Sequence, residues 1–234
     1  MMTPRATRTD RVTAAALDPQ NPPDLEALSA EEVIAWAHEH FGDQVALACS
    51  FQQEESVLVD ILVRDRPDAR AFALDTGLLF AETYATWKTF EDRFGIAVET
   101  AVGPTLEEQA AAHGDELWKR DPGACCGLRK VEPLQRTLSG LDAWITGVRR
   151  DQAPTRAGAR KFEWDERNGL WKFNPLADWS EQDVWARINE RDLPYHPLHD
   201  QGYSSIGCIP CTQPGAGREG RWQGNDKTEC GLHG

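Results

Sequence analysis

Four of the six cysteines form two pairs, Cys125-Cys126 and Cys208-x-x-Cys211, and Cys230 stands alone in the terminal "KTECGLHG". The C-x-x-C of "GCIPCT" lets two thiolates face one metal from a tight turn. The adjacent pair is a different device. Neighbouring residues on a helix diverge by about 100°, because a turn takes about 3.6 residues. Cys125 and Cys126 therefore share a small ion such as zinc poorly, but can reach two corners of an iron–sulfur cubane. The four are expected to hold a [4Fe–4S] cluster. The plainer alternative makes Cys125 and Cys126 core residues and leaves only the C-x-x-C pair as ligands. Cys49, at the end of an apolar run, reads as a buried core thiol. Cys230 fits neither role, since the last residues of a domain are usually mobile.

Cations mark a second chemistry. Arg149, Arg150, Arg156 and Arg160 crowd one stretch, and Arg218 and Arg221 another. Such cations repel unless an anion or acids neutralise them, and Arg forks bidentately onto phosphate or sulfate. The competing reading is a solvated loop paired with Asp151 and Glu163. "SFQQEES" lies between an apolar run and a helical one, where free helix N–H groups and the Ser50 and Ser56 hydroxyls suit an anion. It lacks the glycines of a phosphate loop. "LDTG" is a weaker signal, because Asp75 and Gly77 suffice for a turn.

Strands and helices alternate around these loops. "SAEEVIAWAHEHFG" opens with a Ser29/Glu32 capping box. "QVALACS", "ARAFALDTG", "IAVETAV" and "DAWITGV" read as short buried strands. "SVLVDILVRD" and "LLFAETYATWKTFEDRFG" read as helices, the second ending at Gly95. "TLEEQAAAHGDELWKRD" reads as one helix stopped by Pro122, and "LRKVEPLQRTLSG" as a helix kinked at Pro133. "KFEWDERNGLWKFNPL" suggests a hairpin at Asn168-Gly169, and "SEQDVWARINERD" a last helix. The alternation predicts an α/β fold with a mainly parallel sheet flanked by helices. Ligands in such folds bind beyond the carboxyl ends of the strands, which gathers "SFQQEES", "LDTG" and "GVRRDQAPTR" at one edge.

Length and composition narrow the classes. The chain's 234 residues suit one large domain. The expected divisions are a flexible lead-in over 1–28, a single domain over 29–212, and a mobile C-terminal tail over 213–234. A net charge of −13 argues against a general nucleic-acid binder. No apolar run reaches the roughly 18 residues of a membrane span, and the N-terminus lacks the apolar core of a secretory signal. A reducing cytoplasm is the expected location, where cysteines mean metal or catalysis.

"CCGLRKVEPL", "GCIPCT" and "ECGLH" together resemble the assimilatory adenylylsulfate (APS) reductases, grouped with the phosphoadenylylsulfate (PAPS) reductases. The resemblance runs in the same order over nearly the whole chain from about residue 30. It implies a Rossmann-like adenine nucleotide α-hydrolase fold. Cys125, Cys126, Cys208 and Cys211 match the [4Fe–4S] ligands, and Cys230 the catalytic nucleophile. Lys130 matches a lysine between cluster and substrate. Ser50, Phe51, Gln52, Glu54 and Ser56 fall in the modified phosphate loop, and Leu74, Asp75, Thr76 and Gly77 near the adenosine. Arg149 and Arg156 match the arginine loop; Arg218, Arg221 and His233 match tail residues that fold over the substrate. Gln52 departs from the pattern, since many members carry a small residue there. PAPS-specific relatives generally lack the cluster cysteines, so their presence favours APS.

The implied reaction is thioredoxin-dependent reduction of APS to sulfite and AMP, through an S-sulfocysteine on Cys230. A free thiol has a pKa of about 8.5; Arg218, Arg221 and His233 are expected to lower it and Glu229 to oppose them. The implied partners are APS, with PAPS as the alternative, and a thioredoxin-like dithiol; a homo-oligomer is compatible with all of this. Two other readings compete: a cluster-bearing tRNA thiolation enzyme, whose S-G-G-x-D-S loop and basic charge are missing here, and a non-catalytic metal sensor, which would not need Cys230.

Overall fold

The computed structural model describes residues 17–224, 227 and 229–233. Six strands form one sheet in the order β3-β2-β1-β4-β6-β5. They are β1 (Val45–Ala48), β2 (Arg70–Asp75), β3 (Val98–Val102), β4 (Ala143–Ile145), β5 (Phe162–Asp165) and β6 (Leu170–Phe173). All neighbouring strands pair parallel except β5, which pairs antiparallel with β6 across the expected hairpin. The chain runs outward from β1 to β2 and β3, then returns to the other side of β1 with β4. The reversal opens a crevice between β1 and β4 at their carboxyl ends, where such sheets bind ligands.

Helices cover both faces. The first is α1 (Ala30–Phe41), where Ser29 Oγ accepts from Glu32 N at 3.2 Å and Glu32 accepts from Ser29 N at 2.7 Å. With α2 (Gln53–Asp65), α3 (Ala81–Phe94) and α8 (Glu181–Arg191) it buries the larger core around Ile34, Leu58, Phe90, Phe173 and Ile188. The opposite face holds a smaller cluster of Ala46, Phe72, Leu134, Leu138 and Trp144 beneath α7 (Glu132–Leu138).

Two expectations need correction. "TLEEQAAAHGDELWKRD" is not one helix: α4 (Leu106–His113) ends at Gly114, whose φ of 78° is left-handed, and α5 (Leu117–Arg120) is a separate turn. The second turn does end just ahead of Pro122, which then opens α6 (Pro122–Cys126), capped by Asp121, whose side chain accepts from Ala124 N. Nor is the segment after Cys126 α-helical throughout. A π-helical turn spans Gly127–Val131 and α7 continues from it. Pro133 has no N–H for the carbonyl of Arg129, and the turn before it widens, as π-turns do at many functional sites.

Part of the lead-in packs on the domain. Leu25 is buried, Glu26 pairs with Arg150, and Leu28 O accepts from Lys161 Nζ at 2.6 Å.

Candidate active site

The strand-end loops do meet. A cavity beyond β1, β2 and β4 is lined by Ser50, Phe51, Gln52 and Glu54 after β1, by Leu74 and Thr76 at the end of β2, and by Arg149 and Arg156 after β4. Lys130, Arg218, Arg221, Cys230 and His233 complete the lining. Three predicted substrate residues are not on the wall. Ser56 lies a turn into α2, fully buried, its Oγ unpartnered. Asp75 accepts from Gly77 N at 2.8 Å and from Tyr84 OH at 2.7 Å, which makes "LDTG" a turn held by its own acid. Gly77 sits in that turn with φ 65°.

The loop after β1 is strained and anchored. Phe51 has φ 61°, which costs a non-glycine residue about 1–3 kcal/mol. Its ring is 1% exposed and stacks on Trp87 at 5.0 Å, a burial worth about 1.5–3 kcal/mol that offsets the strain. Gln52 takes up the polar work: its Nε2 donates to Ser50 Oγ at 3.1 Å and its Oε1 accepts from Ile206 N at 2.7 Å. The unusual residue of this loop thus ties it to the segment leading to Cys208. Glu55, which the sequence reading passed over, accepts from Ser50 Oγ at 2.7 Å and from Gln52 N at 3.0 Å. Burial first, and the Glu54 charge second, push its carboxyl up to about 8. One helix N–H expected to meet an anion is therefore spent on Glu55.

The arginines divide. Arg149, 3% exposed, donates from Nε to Glu54 at 2.9 Å and also pairs with Asp151. Arg150 and Arg160 turn away to Glu26 and Asp24. Acids do neutralise this loop, though Glu163 instead receives Lys172 at 3.2 Å. Arg156 faces the cavity, and with Arg218 it meets the carboxylate of Glu229, at 3.2 and 2.9 Å.

Across a shared wall lies a second, smaller pocket, lined by Cys125, Cys126, Cys208 and Cys211. Lys130 and Arg221 border both pockets. Among the described residues no three His, Cys, Asp or Glu side chains close on one point as a single ion requires. The four thiols line one small pocket together. Burial, then the neighbouring Cys126 and Cys208, push the Cys125 thiol up to about 11, and burial likewise raises Cys126 and Cys211. Left to themselves they stay protonated; a cationic metal group would make them thiolates. Thr76 Oγ1 lies 3.3 Å from Cys208 Sγ, and Arg129, buried and unpredicted, donates to Thr76 O at 2.6 Å. Ile209 N donates to Leu78 O at 2.8 Å, which binds the C-x-x-C segment to the strand β2 exit. Burial works to discharge Lys130, but the sulfurs of Cys208 and Cys230 outweigh it and hold the amine above its ordinary range.

The described tail residues lie against this wall. Trp222 is buried and its N donates to Cys211 O at 3.1 Å, with Arg221 stacked on its ring at 4.5 Å. His233 stacks on Trp144, ring centroids 5.5 Å apart, and Arg167 donates to Gly231 O. Burial, then Lys172, Arg156 and Arg218, hold His233 well below the usual imidazole range. His233 is therefore neutral, and the expectation that it adds positive charge beside the thiol is corrected. Glu55 and Arg129 stand inside "SFQQEES" and "CCGLRKVEPL" and were passed over because polar neighbours there hide which charge is buried, while Trp144 is a single buried strand residue that leaves no motif.

A mainly parallel sheet with a cation-lined crevice at its reversal point, and the Cys230 thiol in the same lining, defines an α/β protein whose crevice suits an anion. Residues 44–214 match the model of the phosphoadenosine phosphosulfate reductase domain. An adenosine 5'-phosphosulfate reductase of Geobacillus kaustophilus is 48% identical over 221 residues, covering 92% of this chain and 94% of the relative. A phosphoadenosine 5'-phosphosulfate reductase of Gloeobacter violaceus is also 48% identical, over 216 residues, with 89% and 90% covered. The crystal structure of the phosphoadenylyl-sulfate reductase of Candida auris superposes with a TM-score of 0.71 at 31% identity, covering 80% of this chain and 91% of that one. This chain belongs to the phosphoadenosine phosphosulfate reductase domain family.

Proposed function

We propose that this protein reduces adenylylsulfate to sulfite and AMP, with Cys230 as nucleophile and a thioredoxin-like dithiol as electron donor. The observation that carries the reading is that Cys230 lines the cation-rich cavity, and that Lys130 and Arg221 of the same lining also border the four-cysteine pocket. The substrate phosphosulfate lies among Arg156, Arg218, Arg221 and Lys130. The Cys230 thiolate attacks the sulfur; the S–O bond to the AMP phosphate breaks and its electron pair leaves with AMP. Cys230 then carries an S-sulfonate. A donor thiolate attacks Cys230 Sγ and expels sulfite, and the donor's second thiol resolves the mixed disulfide. The two electrons come from the dithiol, so sulfur falls from the sulfate to the sulfite level without a metal redox step.

Cys125, Cys126, Cys208 and Cys211 would hold a [4Fe–4S] cluster, whose chemistry there is electrostatic orientation and polarisation beside the sulfate. Lys130 offsets the negative charge of four thiolates at the shared wall. The segment that carries Cys230 shifts, so that the thiol can meet the nucleotide and then a protein thiol. Free cysteines throughout the described chain suit a reducing cytoplasm.

Sulfite release is the test: anaerobically purified protein, reduced thioredoxin, and APS or PAPS in parallel. Faster release from APS supports the reading, and comparable rates make the enzyme dual, which relatives of both names at equal identity also favour. No sulfite from either, in protein with iron bound, overturns it.

A further inference from the structure

Two cations of the cavity that Cys230 lines are already engaged by its neighbour Glu229. Arg156 donates to the Glu229 carboxylate from Nε and Nη2, both at 3.2 Å, and Arg218 Nη2 donates to it at 2.9 Å. Thr155 Oγ1 adds a hydrogen bond at 3.2 Å. Both arginines line the nucleotide cavity, and Glu229 stands one residue before the thiol. A carboxylate gripped by a forked guanidinium and a second arginine is the arrangement that a phosphate or sulfate oxygen would adopt there. Burial would raise the Glu229 carboxyl, but hydrogen bonding to Arg156 and the charges of both arginines hold it below its ordinary range, so it is an anion.

We propose that Glu229 is a positioning residue that stands in for the substrate's anion: it holds Arg156, Arg218 and the Cys230 segment assembled until the nucleotide's acidic group displaces it. The idea rests on the reading of this cavity as a nucleotide site. Other contacts of the tail keep Cys230 near when Glu229 lets go, chiefly Trp222 in the cysteine wall and His233 on Trp144. Ligand exchange, rather than wholesale release, then moves the thiol. It has a cost in affinity, because the ligand binds only the fraction of molecules whose arginines are free.

The test is the binding of AMP to the iron-loaded full chain, measured by calorimetry, with steady-state kinetics alongside. Glu229→Gln should bind AMP about tenfold more tightly than the wild type, as removal of a competing occupant requires. Glu229→Ala should shift the same way, and Glu229→Asp should return most of the wild-type affinity. In turnover Glu229→Gln should lower KM and kcat together, since substrate enters more readily but the thiol is less well placed. Unchanged or weaker AMP binding in both neutral variants, with iron content and melting temperature retained, overturns the proposal. AMP binding that tightens in protein releasing no sulfite leaves Glu229's role standing and removes the reaction instead. Failure of AMP to bind any form overturns both.

Discussion

The floor of the cavity and its lid are held by different forces. The floor is made of strand ends and helix caps, with main-chain ladders beneath and buried pairs such as Arg149–Glu54 sealing its corners. The lid, residues 213–233 as described, has no strand or helix, and rests on Trp222 in the cysteine wall, His233 on Trp144, and the Glu229 ion pairs. A substitution in the floor should therefore act on stability, and one in the lid on turnover.

The largest effect should come from the lid. Cys230→Ser should abolish sulfite release while leaving the melting temperature and AMP affinity near wild type; residual turnover above background would move the nucleophile elsewhere. Next comes the floor. Arg149→Ala strands Glu54 as a buried, unpaired charge and should cost about 3–5 kcal/mol in urea unfolding. A loss of nucleotide affinity with little loss of stability would instead make Arg149 a lid-type ligand. Lys130→Ala, on the wall the two regions share, should lose about 10²–10³ in kcat with iron content unchanged. Near-normal turnover would break the link between the two pockets.

Per pH unit, the smallest effect belongs to Glu55. Its folded carboxyl holds a proton up to about pH 8, whereas the unfolded chain loses it near the ordinary value of 4.5. Between those values the folded state binds more protons, so stability falls as pH rises, by about 1.4 kcal/mol per unit at most. Urea midpoints taken from pH 5 to 8 should slope downward in the wild type and lie flatter in Glu55→Gln. Equal slopes would show that Glu55 ionises freely in the folded protein. The floor is tight here as well: a Cβ on Gly147 would meet Glu55 Oε1 at 2.5 Å and Glu54 Cβ at 2.8 Å, so this close approach requires glycine.

The sequence by itself determined the α/β class, the succession of strands and helices along the chain, the Ser29 cap and the family, because periodicity, capping and the three cysteine motifs are local. It could also name the loops that meet, since parallel strands send their carboxyl ends to one edge. Only the tertiary structure decided which members of those loops face the cavity. Four arginines that look alike in sequence split into a structural pair at Glu26 and Asp24, an Arg149 locked onto Glu54 in the cavity wall and an Arg156 held there by Glu229, according to which acid each can reach. It likewise decided that His233 is neutral and that Glu229 occupies two cations beside the thiol. Burial and pairing depend on neighbours distant in sequence, and the desolvation that sets a charge comes from the assembled fold.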